Sequence, residues 1–288
     1  MCLIVVARHV HPRFPLVVAA NRDEVFERDA AGLDRWSEAQ FAEGIGATLP
    51  SSTNGVPQPM TPEGLVAGRD RTAGGTWLAV AAGGRFSAVT NVRDASAPPT
   101  ALSRGRLPLL GVAGEMPADL APYGPANVLW GDADRLMWAS NRGEPGPREV
   151  GEGVHSLSNA SLDTPWPKSV AAAEAVGEVL REWTGPTAGG DALGGDARAP
   201  GDTPRWAAQL LQPLLSRERA ALGALPDTGV PITSEWFLSA PFVRMPGYGT
   251  RCQTAVAVSN SGAVSIVERR FDSTGFATEI REARVEAR

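Results

Sequence analysis

The second residue of the chain is a cysteine. Further along, the apolar run PLVVAA ends in four polar side chains, Asn21, Arg22, Asp23 and Glu24. A cysteine directly after Met1 has unusual chemical potential, because methionine aminopeptidases remove Met1 when the next side chain is small. Processing would leave one residue bearing both a thiol and a free α-amine. That amine has a reference pKa of about 7.7 to 8.0 and is partly neutral at physiological pH, so it serves as a local base. An N-terminal amine that activates its own side-chain nucleophile is a general solution to covalent catalysis. The plainer reading is that Cys2, a small and readily buried residue, simply begins a core strand.

Chemistry at Cys2 needs elements that bring partners to it. CLIVVAR and FPLVVAA are β-branched runs separated by HVHPR, the pattern of two strands joined by a tight connection. An antiparallel hairpin centred on Pro12 and Arg13 places residue 2 opposite residue 23, and a slip of one or two residues substitutes Arg22 or Asn21. Directly opposed side chains have Cβ atoms about 4.5 to 5.5 Å apart. Asp23 in that position would orient the Cys2 amine, and Arg22 would favour the thiolate. Asn21 and Glu24 become ligand-side or capping groups. A second reading makes Asn21 or Asp23 the cap of a helix over EVFERDAA.

Both opening strands are apolar on both faces and therefore belong inside a layered protein. TWLAV and RFSAVTNV form a hairpin turned by Gly83 and Gly84, NVLWG and RLMWAS a second, and residues 254–271 a third around Asn260 and Gly262. Helices are expected over 165–183 and 204–222, the second interrupted by Pro213. Gly74 and Gly75 in AGGTW imply a tight turn or a close backbone approach. The Gly/Pro-rich stretches near 51–64 and 184–202 read as mobile surface loops. The layout is α+β, antiparallel sheets with helices outside them, in one domain spanning 1–288. Trp77, Trp130, Trp138 and Trp166 are expected in the core.

Composition removes several classes of function. A net charge of −5 offers no basic surface for a phosphate backbone, so no nucleic acid is expected as a partner. No stretch approaches the ~20 apolar residues of a membrane helix, and Arg8, His9, His11 and Arg13 interrupt any signal-peptide core, so the expected location is cytoplasmic. Two cysteines cannot frame a chain of this size. Neither GxGxxG nor GxxxxGK[ST] is present, and HExxH and GxSxG are absent as well. The three histidines are too scattered for a metal site, and no cofactor is expected.

The segments MCLIVVA, PLVVAANRDE, AGRDRTAGGTWLAV, TNVRD, SNASLDTPWPK, LPDTGV and YGTRCQTAVAVSNSGAVSIVERRFD, in this order, resemble the NRDE family, whose animal member is called transport and Golgi organisation protein 2. That family in turn resembles the N-terminal nucleophile hydrolases of the choloylglycine hydrolase and penicillin V acylase branch. The resemblance implies a four-layer αββα sandwich of antiparallel sheets. It implies Cys2 as nucleophile, Asp23 as the acid ending the second strand, and Asn159 in SNASLD with Asn91 at the end of RFSAVTN as oxyanion donors. Either asparagine could instead be structural, Asn91 ending a strand and Asn159 shaping a turn. The branch also carries two arginines. Ala20 stands where the first would be and Arg22 lies beside the Asp, while the second falls near Pro241, leaving Arg244 or Arg251 as substitutes.

The resemblance thus implies an N-terminal cysteine amidohydrolase or acyl hydrolase for a small amide or acyl substrate. The alternative is a non-catalytic binding or carrier protein on the same scaffold. Its ligands would be haem or acyl-coenzyme A, with which animal members of the family are connected. For haem, His9, His11 or Cys2 would be the axial candidates near the site.

Overall fold

The hairpin that opens the chain sets the register of everything around it. In the computed structural model, which describes residues 2–46, 59–94, 96–97, 100–143, 146–186 and 202–287, strands β1 (Cys2–His11) and β2 (Phe14–Val25) pair antiparallel. His11 opposes Phe14 across the turn, as a turn centred on Pro12 and Arg13 requires. Between Arg8 and His11, however, β1 has two residues where β2 has one, and His9 takes a left-handed φ of 53°. This bulge consumes one residue. Inward of it every pair is displaced by one, and Cys2 faces Arg22 instead of the expected Asp23.

The chain then builds a second sheet before returning to the first. The second sheet is a meander in chain order: β3 (Ala30–Arg35), β4 (Val66–Asp70), β5 (Leu78–Ala81), β6 (Arg85–Asn91), β7 (Ala126–Gly131), β8 (Leu136–Ser140) and β9 (Arg148–Glu149). Within it lie helices α1 (Glu38–Ile45) and α2 (Leu107–Ala113). The first sheet is completed by β10 (Gly153–Leu157), β12 (Tyr248–Val258), β13 (Val264–Phe271) and β14 (Ala277–Val285), in the order β10-β1-β2-β12-β13-β14. The short β11 (Arg244–Met245) pairs with β12. Helices α3 (Pro167–Glu182), α4 (Arg205–Leu211) and α5 (Ile232–Leu238) lie between β10 and β11 in the chain.

Alternation along the strands explains the layers. Ile4, Val6, Leu16 and Val18 join Leu78, Phe86, Leu129 and Trp138 in a core between the two sheets. Leu3, Val5, Val17 and Ala19 face the other way, under Ala172, Val176 and Leu180 of α3 and Leu210 of α4. Helices α1 and α2 cover the outer face of the second sheet through Phe41, Leu109 and Val112. The result is the αββα sandwich that the resemblance implies.

The three hairpins expected from sequence are present, with Gly83 and Gly84 at φ 77° and 73° and Gly262 at 83°. The helix expected over 165–183 is α3. The one expected over 204–222 stops at Leu211, because Pro213 cannot donate to the helix and forces a short 3-10 turn. Helices α1 and α2 fall outside the two segments expected to be helical. Gly111 and a leading Pro108 gave α2 little intrinsic helix signal. Packing defines it, since a side chain at Gly111 would meet Ser87 Oγ at 2.3 Å. Most of the two Gly/Pro-rich loops falls outside the described residues.

Candidate active site

The polar end of β2 is strand, not helix start: Asn21 to Val25 continue the ladder and pair with β12. Because successive side chains alternate, Arg22 and Glu24 turn toward the second sheet, while Asn21 and Asp23 belong to the face covered by helices. A cavity of about 1040 Å³ lies over this strand end, lined by Cys2, Arg22, Asp23, Glu24 and Asn91 together with Arg28, Trp77, Arg104 and Tyr248. Of the expected site residues, Cys2, Arg22, Asp23, Glu24, Asn91 and Arg251 border this opening.

Register makes the cavity floor a row across neighbouring strands. Cys2 pairs with Arg22, Arg22 with Cys252, and Cys252 with Arg270. Each thiol on this floor therefore has a guanidinium as lateral neighbour. Cys2 and Cys252 are two strand spacings apart, roughly 10 Å, too far to bridge, and both are free. Sequence reasoning missed Cys252 and Arg270 because their place depends on long-range pairing of β12 and β13.

The Cys2 thiol is pushed above its ordinary pKa chiefly by burial and further by the Asp23 carboxylate, while Arg22 and the Asp23 backbone N–H pull it down. Burial also raises Asp23. Lys168, a hydrogen bond from Thr250 and the charge of Arg22 oppose that rise. Thr250 Oγ1 donates to Asp23 Oδ1 at 2.7 Å, and Tyr248 OH donates to the Asp23 carbonyl at 3.0 Å. Asp23 is thus fixed by β12 on its flank. Sequence reading had not marked Thr250, Tyr248 or Lys168.

Asn21 is placed differently from the ligand-side role expected of it. Its Nδ2 donates to the carbonyls of Leu214 and Pro241, each at 2.9 Å, which ties β2 to the helical layer. Glu24 does reach the cavity, between Arg22 at 3.8 Å and Arg28 at 3.9 Å. Arg251 lines the cavity but spends Nη1 on the carbonyls of Val25, Phe26 and Arg28, at 2.8, 3.0 and 3.1 Å. The bulge between Thr250 and Cys252 re-aims it to clamp the turn after β2. Arg244 is exposed on β11 and is not among the cavity's lining residues.

Asn159 stands behind Asn91. Its Nδ2 donates to Asn91 O at 3.0 Å and Asn91 Oδ1 at 3.1 Å, and Ser158 Oγ donates to the Cys2 carbonyl at 3.1 Å. The turn that carries them is braced from outside by His155 Nδ1 and Asp163 Oδ2, 2.7 Å apart. On the far wall, the close approach expected at AGGTW is met. A side chain at Gly75 would lie 2.4 Å from the Gly105 carbonyl, and Thr76 N–H donates to that carbonyl at 2.9 Å. This contact seats Arg104, whose Nη1 donates to Pro125 O at 2.9 Å and which has no carboxylate within ion-pair distance among the described residues. Burial lowers its pKa, while Cys2 and Glu24 oppose the fall.

A model of the family described as Transport and Golgi organisation 2 matches residues 1–273. The chain belongs to this family. The match runs from β1 through β13 and so takes in every cavity residue named above. The Transport and Golgi organization protein 2 homolog of Bos taurus is 29% identical over 300 residues, covering 95% of this chain and 94% of that protein. The homolog of Homo sapiens is 28% identical over 277 residues, covering 89% and 86%. Among solved structures, a mutant of the conjugated bile acid hydrolase from Clostridium perfringens is similar at 10% identity with a TM-score of 0.42, over 98% of this chain and 92% of that one.

The imidazoles expected as axial haem ligands lie away from the cavity lining. His9 Nε2 is 3.0 Å from Ala133 O and His11 Nε2 is 3.0 Å from Trp183 O, which leaves Cys2 as the lining member of that set. Trp138 and Trp77 are buried in one core, as expected, with Trp77 also bordering the cavity, whereas Trp130 and Trp166 are only partly buried. Among the described residues no helix is long and apolar enough to cross a membrane.

Proposed function

We propose that the chain is an N-terminal cysteine hydrolase of a small amide or acyl substrate that carries an anionic group. The observation that carries this reading is the opening of Cys2 onto the cavity with Arg22 directly opposite and Asp23 adjoining. Once Met1 is removed, the α-amine of Cys2 takes the thiol proton and the thiolate attacks the acyl carbon. Asp23, held by Thr250, accepts a hydrogen bond from the amine and orients it. Asn159 fixes the Asn91 side chain by donating to its Oδ1, which leaves Asn91 Nδ2 to donate to the oxyanion. Preorganised donors of this kind typically contribute ~10² to 10³ in rate. The amine then protonates the leaving group, and water hydrolyses the acyl-enzyme.

The anionic group follows from the guanidiniums around the thiol. Arg22 and Arg104 both border the cavity; among the described residues Arg22 has only the Glu24 carboxylate, at 3.8 Å, and Arg104 has none within ion-pair distance. Guanidinium groups in a partly desolvated cleft favour carboxylate, sulfonate or phosphate.

The competing reading is a carrier that binds haem or acyl-coenzyme A without turnover, and the burial of the thiol favours it. The two separate by experiment. Protein whose intact mass shows Met1 removed is assayed on a panel of N-acyl amides and acyl thioesters bearing an anionic group, beside Cys2→Ala. The hydrolase reading expects turnover that is lost in Cys2→Ala. Calorimetric binding of acyl-coenzyme A or haem that survives in Cys2→Ala, with no turnover by either protein, establishes the carrier.

A further inference from the structure

The chain has 26 arginines and a single lysine, Lys168, and that lysine is buried. It occupies the first turn of α3, where the positive end of the helix dipole disfavours a cation. Its Nζ is out of contact with solvent and has no hydrogen-bond partner among the described residues. The guanidinium of Arg93 adds repulsion. Each of these features works against a charged side chain, so a compensating partner is needed.

The charged and titratable groups that act on Lys168 come from three other elements and the segment after β6. They are Asp23 on β2, Cys2 on β1, Glu235 on α5, and Arg93 just beyond β6. Glu235 is engaged by Arg93 and by Thr228 Oγ1. The Asp23 carboxylate is the largest favourable influence on Lys168, and Lys168 is, after the N-terminal amine, the next largest influence holding Asp23 down against burial. The alternation of β2 agrees, because it turns Asp23 toward the helical layer in which α3 packs. Asp23 thus borders the cavity onto which Cys2 and Arg22 open and also feels the charge of the buried Lys168 in the helical layer.

We propose that Lys168 is a positioning residue that keeps Asp23 ionised beneath the Cys2 α-amine, and that loss of its own proton releases that hold on the alkaline side. This rests on the reading of Cys2 as an N-terminal nucleophile. The residue type matters to the argument. Arginine stays protonated at any accessible pH, whereas a buried lysine titrates. Burial brings Lys168 down to about 8, inside the range in which an enzyme works. Asp23 and Lys168 therefore titrate as a coupled pair.

A single lysine also gives a direct measurement. In untagged protein labelled with ¹³Cε-lysine, one resonance reports the Lys168 titration without any substrate. The expected midpoint lies well below that of a free lysine, and Asp23→Asn lowers it by about one pH unit, a tenfold change in the proton equilibrium. An ordinary lysine midpoint, or one unmoved in Asp23→Asn, overturns the pairing.

The positioning role is read from the pH dependence of Cys2 alkylation by iodoacetamide in protein lacking Met1, followed by mass spectrometry. Lys168→Met, nearly the same shape, raises the midpoint of the acid limb because Asp23 then ionises only at higher pH. Lys168→Arg, with a permanent charge, keeps the acid limb and changes the alkaline limb to one in which only the Cys2 amine and thiol titrate. Unmoved limbs in both variants, with Cys2 still hyper-reactive, overturn the positioning role and leave the nucleophile standing. Wild-type Cys2 no more reactive than a free cysteine removes the nucleophile, and the positioning role falls with it, whatever the lysine resonance shows.

Discussion

Cys2 and Arg22 stand directly opposite each other on adjacent antiparallel strands, with both side chains on the cavity side of the sheet. The turn alone would have paired Cys2 with Asp23, and the bulge at His9 makes the difference. The exchange has chemical meaning. A guanidinium beside the sulfur stabilises the thiolate, and the carboxylate is moved to the other face of β2, where its repulsion of the thiolate is weaker than in direct opposition.

Arg22→Met is therefore expected to slow alkylation of Cys2 at neutral pH. Removing the positive neighbour raises the thiol pKa, and each unit of rise leaves about tenfold less thiolate at a given pH. A several-fold to tenfold fall in rate is expected, with Arg22→Lys retaining most of the wild-type value. Peptide-resolved mass spectrometry distinguishes Cys2 from Cys252. An alkylation rate unchanged in Arg22→Met would show that the thiol does not feel this residue.

Gly75→Ala tests the wall that seats Arg104. The added Cβ would lie 2.4 Å from both the carbonyl carbon and the carbonyl oxygen of Gly105, and backbone atoms cannot swing aside as a side chain can. Overpacking of this kind costs about 1 to 3 kcal/mol. Thermal unfolding should show a lowered midpoint, and relief of the clash should move Arg104 and weaken any anionic ligand. A variant as stable as the wild type would mean that the two segments are not in contact.

The strength of the sequence signal varies with how local each feature is. The opening hairpin, the glycine turns and the two-faced apolar strands depend on neighbours in sequence, and they were legible. The hairpin brought Cys2 to the Asn21–Glu24 segment, one residue out of register, while Asn91 was assigned to the site by the family resemblance alone. Arg104, Lys168, Thr250 and Cys252 were not legible, since each reaches the site from an element whose position is fixed only by packing or long-range pairing. Arg244 and Arg251 show the converse. A linear offset placed both near the site, while the pairing of β11 leaves one exposed and a bulge turns the other onto backbone carbonyls.

His155 and Asp163 give a pH dependence with a definite sign. The hydrogen bond to Asp163 is the main cause of the raised His155 pKa, and it outweighs burial. A raised folded-state value means that the pair contributes fully below the ordinary histidine value of 6.5 and loses its contribution as pH rises through the folded value. At the acid end, burial pushes Asp163 up, but the hydrogen bonds from His155 and the Ser156 N–H leave it below 3.8. Stability there is lost as pH falls. In urea titrations, His155→Asn should flatten the slope above pH 6.5, and a slope unchanged from wild type would exclude the brace as its source.

The ion pair between Arg93 and Glu235 supports the same end of the site from the helical layer. Both side chains are almost fully enclosed, at 6% and 2% exposure. Burial lowers the Arg93 pKa even against the charge of Glu235, so the guanidinium depends on that carboxylate to remain where it is. Arg93 also stacks on Trp166 at 5.1 Å, and its backbone N–H donates to Asn159 O at 2.8 Å. Glu235→Ala removes the carboxylate beside a buried cation and releases Thr228 as well, a defect that costs about 3 to 5 kcal/mol in comparable pairs. Replacing both partners with apolar residues, Arg93→Met with Glu235→Leu, should recover much of this loss, because no charge is then left without compensation. Denaturant unfolding of the three proteins measures the difference. A cost below about 1 kcal/mol for Glu235→Ala is what an exposed pair would give, and it would show that water reaches Arg93 and that the segment between Asn91 and Arg93 is held by its backbone contacts alone.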